Sequence, residues 1–160
     1  MNSGKIWYGN YRAGLSLSVI SKKTKYGIKA LSHLAQKEWG KPTQIAEISK
    51  DEHIPRKFLE AILLVLRKSG YLGSKKGKGG GYYLRKPSEE INMAEVFRIL
   101  EGPIALVPCV SLNYYEPCDD CPDEETCSVN RLMIEVRDKT LEVLTNRTLA
   151  DLVANRESKP

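Results

Sequence analysis

Four cysteines, Cys109, Cys118, Cys121 and Cys127, fall within nineteen residues, and no other part of the chain holds one. Thiolates are soft ligands suited to iron–sulfur clusters and zinc, and four match the number that a cluster or a closed zinc site needs. Their segment, PCVSLNYYEPCDDCPDEETC, is otherwise polar and rich in turn formers, so it reads as a loop wrapped around something. Two disulfides would use the same four thiols, but such frameworks belong to small secreted domains. No secretory leader is evident: residues 13–20 (AGLSLSVI) are weakly apolar, broken by two serines and followed by Lys22 and Lys23. A zinc ribbon usually shows two CxxC knuckles, and only Cys118 and Cys121 form one here. The expected cofactor is therefore an iron–sulfur cluster, [2Fe–2S] or [4Fe–4S], with zinc, or redox thiols without metal, as the alternatives.

Upstream lies a second chemical cluster, KKGKGGGYYLRK. Lys75, Lys76 and Lys78 surround Gly77, Gly79, Gly80 and Gly81. Glycines permit positive φ and close backbone approach, and lysines supply charge for phosphates or a narrow minor groove. A nucleotide-binding P-loop needs Gly-Lys-Ser/Thr entering a helix, whereas a strand pattern follows here, so that reading is rejected. Charge is divided to match. Residues 1–90 carry 18 Lys and Arg against 7 Asp and Glu, a local +11; residues 91–160 carry 7 against 13, a local −6. A basic front half is the footprint of polyanion binding, and the acidic rear half is not expected to touch DNA. The only histidines, His33 and His53, read as packing or surface residues. No catalytic constellation emerges, and the protein is expected not to be an enzyme.

The elements that position these groups follow from periodicity. Ile28, Leu31, Leu34 and Ala35 recur at helical spacing between Ser21 and about Trp39, until Gly40-Lys41-Pro42 stops the helix. A short helix is predicted over 43–49, burying Ile45, Ala46 and Ile48, then a tight connection over 50–54. Pro55 opens a third helix to about Ser69, with Phe58, Leu59, Ile62, Leu63 and Leu66 on one side and Gly70 at its end. Strands are predicted near 71–74 and 81–84. Asn92 with Glu95 resembles a capping box before a fourth helix. Beyond the cysteines, Val129, Leu132, Met133, Val136, Val143 and Leu144 stripe a long helix over 128–146, and 148–154 forms a short last one. No stretch approaches the ~20 apolar residues of a membrane span.

Helix, short helix, tight turn, helix and hairpin is the order of a winged helix-turn-helix, whose second helix of the motif enters the major groove. Opposite the leucines, the third helix offers Arg56, Lys57, Glu60, Arg67 and Lys68. Arg and Lys can donate to guanine, and a carboxylate can accept from cytosine N4. Glu60 is thus a candidate base reader, or else a solvated residue paired with a basic neighbour. Arg67 and Lys68 suit phosphate or structural roles. The candidate DNA-binding set is Arg56, Lys57, Glu60, Lys75, Lys76, Lys78, Gly79 and Gly80. The expected fold is mainly α with a small β-hairpin, a winged head with a long dimerisation helix. Its divisions are a flexible 1–16, the DNA-binding domain 17–90, a connecting helix and cysteine loop 91–127, and the dimerisation and C-terminal helices 128–160.

In order along the chain, ISKKTKYGIKALSHLA, IAEISKDEHIPRKFLEAILLVLRKSGYLGSKKGKGGGYYLRKP, VFRILEGPIALVPC and TLADLV resemble the IscR-like family of bacterial winged-helix regulators. The resemblance covers residues 17–153. It implies a homodimer on a palindromic operator in double-stranded DNA, with the long helix crossing its partner and the wing entering the minor groove. It also implies that Cys109, Cys121 and Cys127 are cluster ligands. The family's fourth ligand varies; the two positions that supply it elsewhere are Asn130 and Lys25 here, neither a good iron ligand, so Cys118 is the natural substitute. The family's polar contact positions in the recognition helix correspond to Lys57, Glu60 and Ala61, and alanine at 61 departs from the pattern. The expectation is a cytoplasmic, dimeric, iron–sulfur-dependent transcriptional regulator. Its rivals are a related regulator with structural zinc or redox thiols, and a protein-interaction module of sulfur metabolism.

Overall fold

The computed structural model describes residues 20–119, 121 and 123–157. The proposed N-terminal extension 1–16 lies outside the described residues, as do 17–19, Asp120, Pro122 and 158–160. Along the chain run α1 (Lys22–Ala35), α2 (Ile45–Glu52), α3 (Arg56–Lys68), β1 (Leu72–Lys75), β2 (Gly81–Leu84), α4 (Met93–Leu100), α5 (Ser128–Thr145) and α6 (Leu149–Glu157). Among the described residues, six α-helices and one two-stranded antiparallel sheet make the mainly α, winged-helix fold that the sequence predicts.

Helices α1, α2 and α6 differ in extent from the periodicity, α6 running on to Glu157. Helix α1 stops at Ala35, because beyond it the apolar stripe has nothing to cover: Trp39 is 58% exposed and Gly40 takes φ +72°. Helix α2 runs on through Glu52, so the connection shrinks to a single reversal at His53, which adopts the left-handed φ of 56°. That reversal lets Ile48 and Ile54 both enter the core. Ala46 is exposed and Phe58 is 41% exposed, so neither sits in the core as the stripe suggested. Phe58 instead meets Tyr26 edge-on, ring centroids 5.7 Å apart.

The core is continuous across the chain: Leu31, Ile48, Leu59, Ile62, Leu63, Leu66, Leu72, Ile91, Val96 and Leu149 are essentially closed to solvent. Each such side chain stabilises the fold by about 1.5–3 kcal/mol relative to exposure. Residues far apart in sequence are tied in by hydrogen bonds. Ser21 caps α1 by accepting from Thr24 N–H at 3.2 Å. Glu101, just past α4, accepts from Ser21 N–H at 3.1 Å, from Ser21 Oγ at 2.7 Å and from Thr24 Oγ1. Burial works to raise the Glu101 carboxyl, but these donors outweigh it and hold it below the usual range. Asn92 caps α4 through Ala94 N–H, whereas Glu95 does not complete a capping box. Its carboxylate instead accepts from Tyr71 OH at 2.5 Å. Finally, Met93 N–H donates to Arg147 C=O and Leu149 N–H to Ile91 C=O, both at 2.9 Å, which brings α6 back onto the head.

Candidate nucleic-acid interface and metal centre

Leu59, Ile62, Leu63 and Leu66 pin one face of α3 into the core, so helical geometry turns the opposite face outward. Arg56, Lys57, Glu60 and Ala61 are all exposed there. Glu60 accepts from Arg56 Nε at 3.3 Å, one turn apart, the pairing with a basic neighbour that was the alternative to base reading. Arg67 Nη1 donates to Ser74 Oγ at 3.2 Å and thus ties α3 to β1, a structural role.

The hairpin pairs Leu72 with Leu84 and Lys75 with Gly81, leaving Lys76–Gly80 as the wing tip. Gly77 and Gly79 take φ of 96° and 78°, values that an L side chain rarely adopts. Gly80 N–H closes the turn on Gly77 C=O at 2.9 Å. Lys75, Lys76 and Lys78 project from this turn, all exposed. Thr43 and Tyr82 exchange two backbone hydrogen bonds of 2.9 Å, which fixes the wing to the segment before α2. Wing and recognition helix are therefore held by one frame.

The four cysteines are half-buried and joined by no disulfide, and they lie around the start of α5. Cys127 is the N-cap of that helix, its Sγ accepting from Asn130 N–H at 3.4 Å. Asn130, only 7% exposed, extends Nδ2 to Cys109 Sγ at 3.6 Å. One asparagine thus touches the first and last cysteine of the segment. Burial raises the Cys121 thiol, with Cys127 adding to it, while the Asn130 N–H lowers Cys127 despite its burial, so Cys127 is the member favoured as thiolate. Cys121 N–H donates to Cys118 C=O at 3.4 Å, which closes the CxxC turn. Around them, Arg137 Nη1 holds Val110 C=O at 2.7 Å, Arg131 Nη2 holds Glu125 C=O at 2.9 Å, and Tyr115 OH donates to Glu124 at 2.8 Å. Asp123 braces its own turn through Glu125 N–H and Thr126 Oγ1. This donor set fits a cysteine-ligated cluster: soft, half-buried, unbridged, and with one sulfur already polarised at a helix N-terminus. A single tetrahedral zinc would draw its sulfurs to about 3.8 Å from one another. Among the described residues, three sulfurs do not gather within 4.8 Å.

Sequence reasoning treated Asn130 only as a poor ligand. The structure makes it a bracket for two sulfurs, a role signalled only by its place three residues after a capping cysteine. Helix α5 presents Val129, Leu132 and Val143 to solvent, each more than half exposed. Leu132 and Val143, with Ile20, Ile104, Leu106 and Val136, line an apolar groove of ≈ 930 Å³ between α4 and α5.

A model of a family described as iron-dependent transcriptional regulators, Rrf2, matches residues 20–155. The chain belongs to the Rrf2 family. An rrf2-like HTH-type protein of Rhodobacter capsulatus is 40% identical over 139 residues, 85% of this chain and 93% of that one. The structure of CymR, the global cysteine regulator of Bacillus subtilis, superposes with a TM-score of 0.70 at 32% identity, covering 85% of this chain and 96% of that one. T. potens IscR superposes with a TM-score of 0.68 at 25% identity, covering 88% and 91%. As an Rrf2 member the protein is a helix-turn-helix regulator of transcription that acts on DNA, and it is not an enzyme. No helix among the described residues is long and apolar enough to cross a membrane.

Proposed function

We propose that this Rrf2 regulator carries an iron–sulfur cluster on Cys109, Cys118, Cys121 and Cys127, and that cluster state sets its affinity for DNA. The observation that carries the reading is Asn130, which hydrogen-bonds the sulfurs of Cys109 and Cys127 while sitting inside the first turn of α5. Any change in those sulfurs is felt at the start of the long helix. When bound, a cluster supplies one-electron redox chemistry and reactivity toward oxidants, at a potential tuned by hydrogen bonds to its sulfurs. The protein's own part is to hold the thiolates, lower Cys127 and pass the difference to α5. The exposed apolar face of α5 supports the second half of the proposal, a homodimer in which this helix crosses its twin. Two heads then read the half-sites of a palindromic operator, with Lys57 and Glu60 toward bases and Lys75, Lys76 and Lys78 toward phosphates, in the cytoplasm.

Anaerobic purification followed by a visible spectrum, with iron, sulfide and zinc counted per chain, tests the cofactor. A coloured protein with matching iron and sulfide is expected. A colourless protein with one zinc per chain would make the site structural. One observation favours a second reading, redox thiols without metal: Cys121 and Cys127 perturb one another, the Cys121 thiol raised and the Cys127 thiol lowered. A metal-free protein whose DNA binding responds to peroxide and thiol reductant would establish it. Sedimentation showing only monomer at micromolar concentration would remove the dimer.

A further inference from the structure

His33 is buried on α1, 5% exposed, and its Nε2 has no hydrogen-bond partner in the protein. A buried polar atom without a partner is rare and calls for an explanation. The other ring nitrogen, Nδ1, lies 3.5 Å from Oε1 of Glu52, a carboxylate that is itself buried. With Glu52 beside Nδ1, Nε2 is the ring nitrogen left without a partner. That is the arrangement by which metal-ligating histidines are oriented. Lys29 in turn steadies Glu52, its Nζ 3.4 Å from Oε2. Nε2 is not aimed at an apolar wall. Glu47 and Asp51 stand one turn apart on the facing helix α2, both exposed, and a ligand atom from each lies within 4.8 Å of the histidine nitrogen and of the other. Glu47 Oε1 is 3.9 Å from Nε2.

We propose that His33, Glu47 and Asp51 form a second metal site, separate from the cysteine loop, that takes a divalent first-row transition cation such as Zn²⁺. One imidazole and two carboxylates are borderline-hard donors that suit such an ion, with water completing its shell on the exposed side. Ligand atoms around a tetrahedral ion with bonds near 2.1 Å sit about 3.4 Å apart. Closing from 4.8 Å or less asks only for rotamer adjustments of two exposed carboxylates. The present occupant of the acidic pair is an ammonium, Lys37 Nζ, 2.7 Å from Glu47 Oε1, and the metal displaces it. A bound ion pins α1 to α2, the helix that hands the chain to α3 through the His53 turn.

Co²⁺ titration of the full-length protein tests this, because thiolate-bound Co²⁺ gives an intense near-ultraviolet charge-transfer band and nitrogen- and oxygen-bound Co²⁺ does not. Equilibrium dialysis should find one Co²⁺ per chain beyond those accounted for by that band. His33→Gln and Asp51→Asn should each weaken this ion by about tenfold or more, and Cys109→Ser should leave it in place. Asp51 is exposed, so Asp51→Asn keeps the test decisive if His33→Gln fails to fold. Absence of the extra ion in the wild type, or equal affinity in Asp51→Asn, would overturn the site. The charge-transfer band reports separately on the cysteine loop.

Discussion

The head and the cysteine loop are built in opposite ways. In the head, α1, α3 and the hairpin close over side chains such as Leu31, Leu63 and Leu72, and the groups proposed to face DNA are carried on the outside of this frame. Over residues 103–127 the balance reverses. Leu106, Leu112, Tyr114 and Tyr115 are all more than half exposed, Val110 is the buried apolar anchor, and order comes from polar brackets: Asn130, Arg131, Arg137 and Asp123. A region held by its own apolar core keeps its shape whatever binds it. One held by thiols and single hydrogen bonds takes its stability from whatever the thiols hold. The molecule thus pairs a head held by its apolar core with a cysteine segment held mainly by single hydrogen bonds.

The largest effect is expected in the loop. Cys109→Ser, Cys121→Ser and Cys127→Ser should each abolish the visible chromophore of anaerobically purified protein, and Cys118→Ser should weaken or shift it. Hydrogen exchange should then rise across the loop while amides of α1 and α3 keep their protection; equal loss in both regions would erase the distinction. In the head, Leu63→Ala should lower unfolding stability by about 2–5 kcal/mol in a denaturant titration, with bound iron per folded chain unchanged. For the reading surface, Glu60→Ala should relax preference at one base pair per half-site by about 1–3 kcal/mol, measured on operator variants. Uniform weakening would instead assign Glu60 to its Arg56 pairing alone. Lys78→Ala should weaken all sequences together and reduce the salt slope of binding by about 1.

The smallest effect concerns the clasp between α4 and α1. Hydrogen bonds from Ser21 and Thr24 hold the Glu101 carboxyl below its ordinary value, so the folded state binds this proton less readily than the unfolded chain. Its contribution is complete at neutral pH and is lost as pH falls through the lowered folded value, beneath the usual carboxylate range near about 4. Glu101→Gln should cost about 1 kcal/mol near pH 7 and leave melting temperatures less sensitive to acid between about pH 5 and 3.

Much of the fold was legible because its signals are local. The apolar rhythm of α3, the cap at Asn92 and the glycine-rich turn each announce an element within a dozen residues. Misplaced details arose where tertiary packing decides. Glu95 looked like half of a capping box until Tyr71, from the hairpin side, claimed its carboxylate. Phe58 fits the helical stripe yet faces Tyr26 at the surface. The cysteines were plain in the sequence, but the bracket at Asn130 was not, since its two sulfurs come from positions 21 and 3 residues away. His33, read as a packing or surface residue, is buried. Its companions Glu47 and Asp51 belong to a different helix, and no spacing rule links them.

The return of the chain at Asn92 and Thr148 has a consequence for the order in which the molecule is made. Leu149 fills the same core as Leu31 and Ile62, so the head's interior is finished by a residue synthesised long after the wing. During translation the reader must wait, partly open, while the cysteine segment and α5 emerge. Contacts of such wide sequence separation slow closure. The cysteine segment therefore precedes, in the chain, the residue that completes the head's interior.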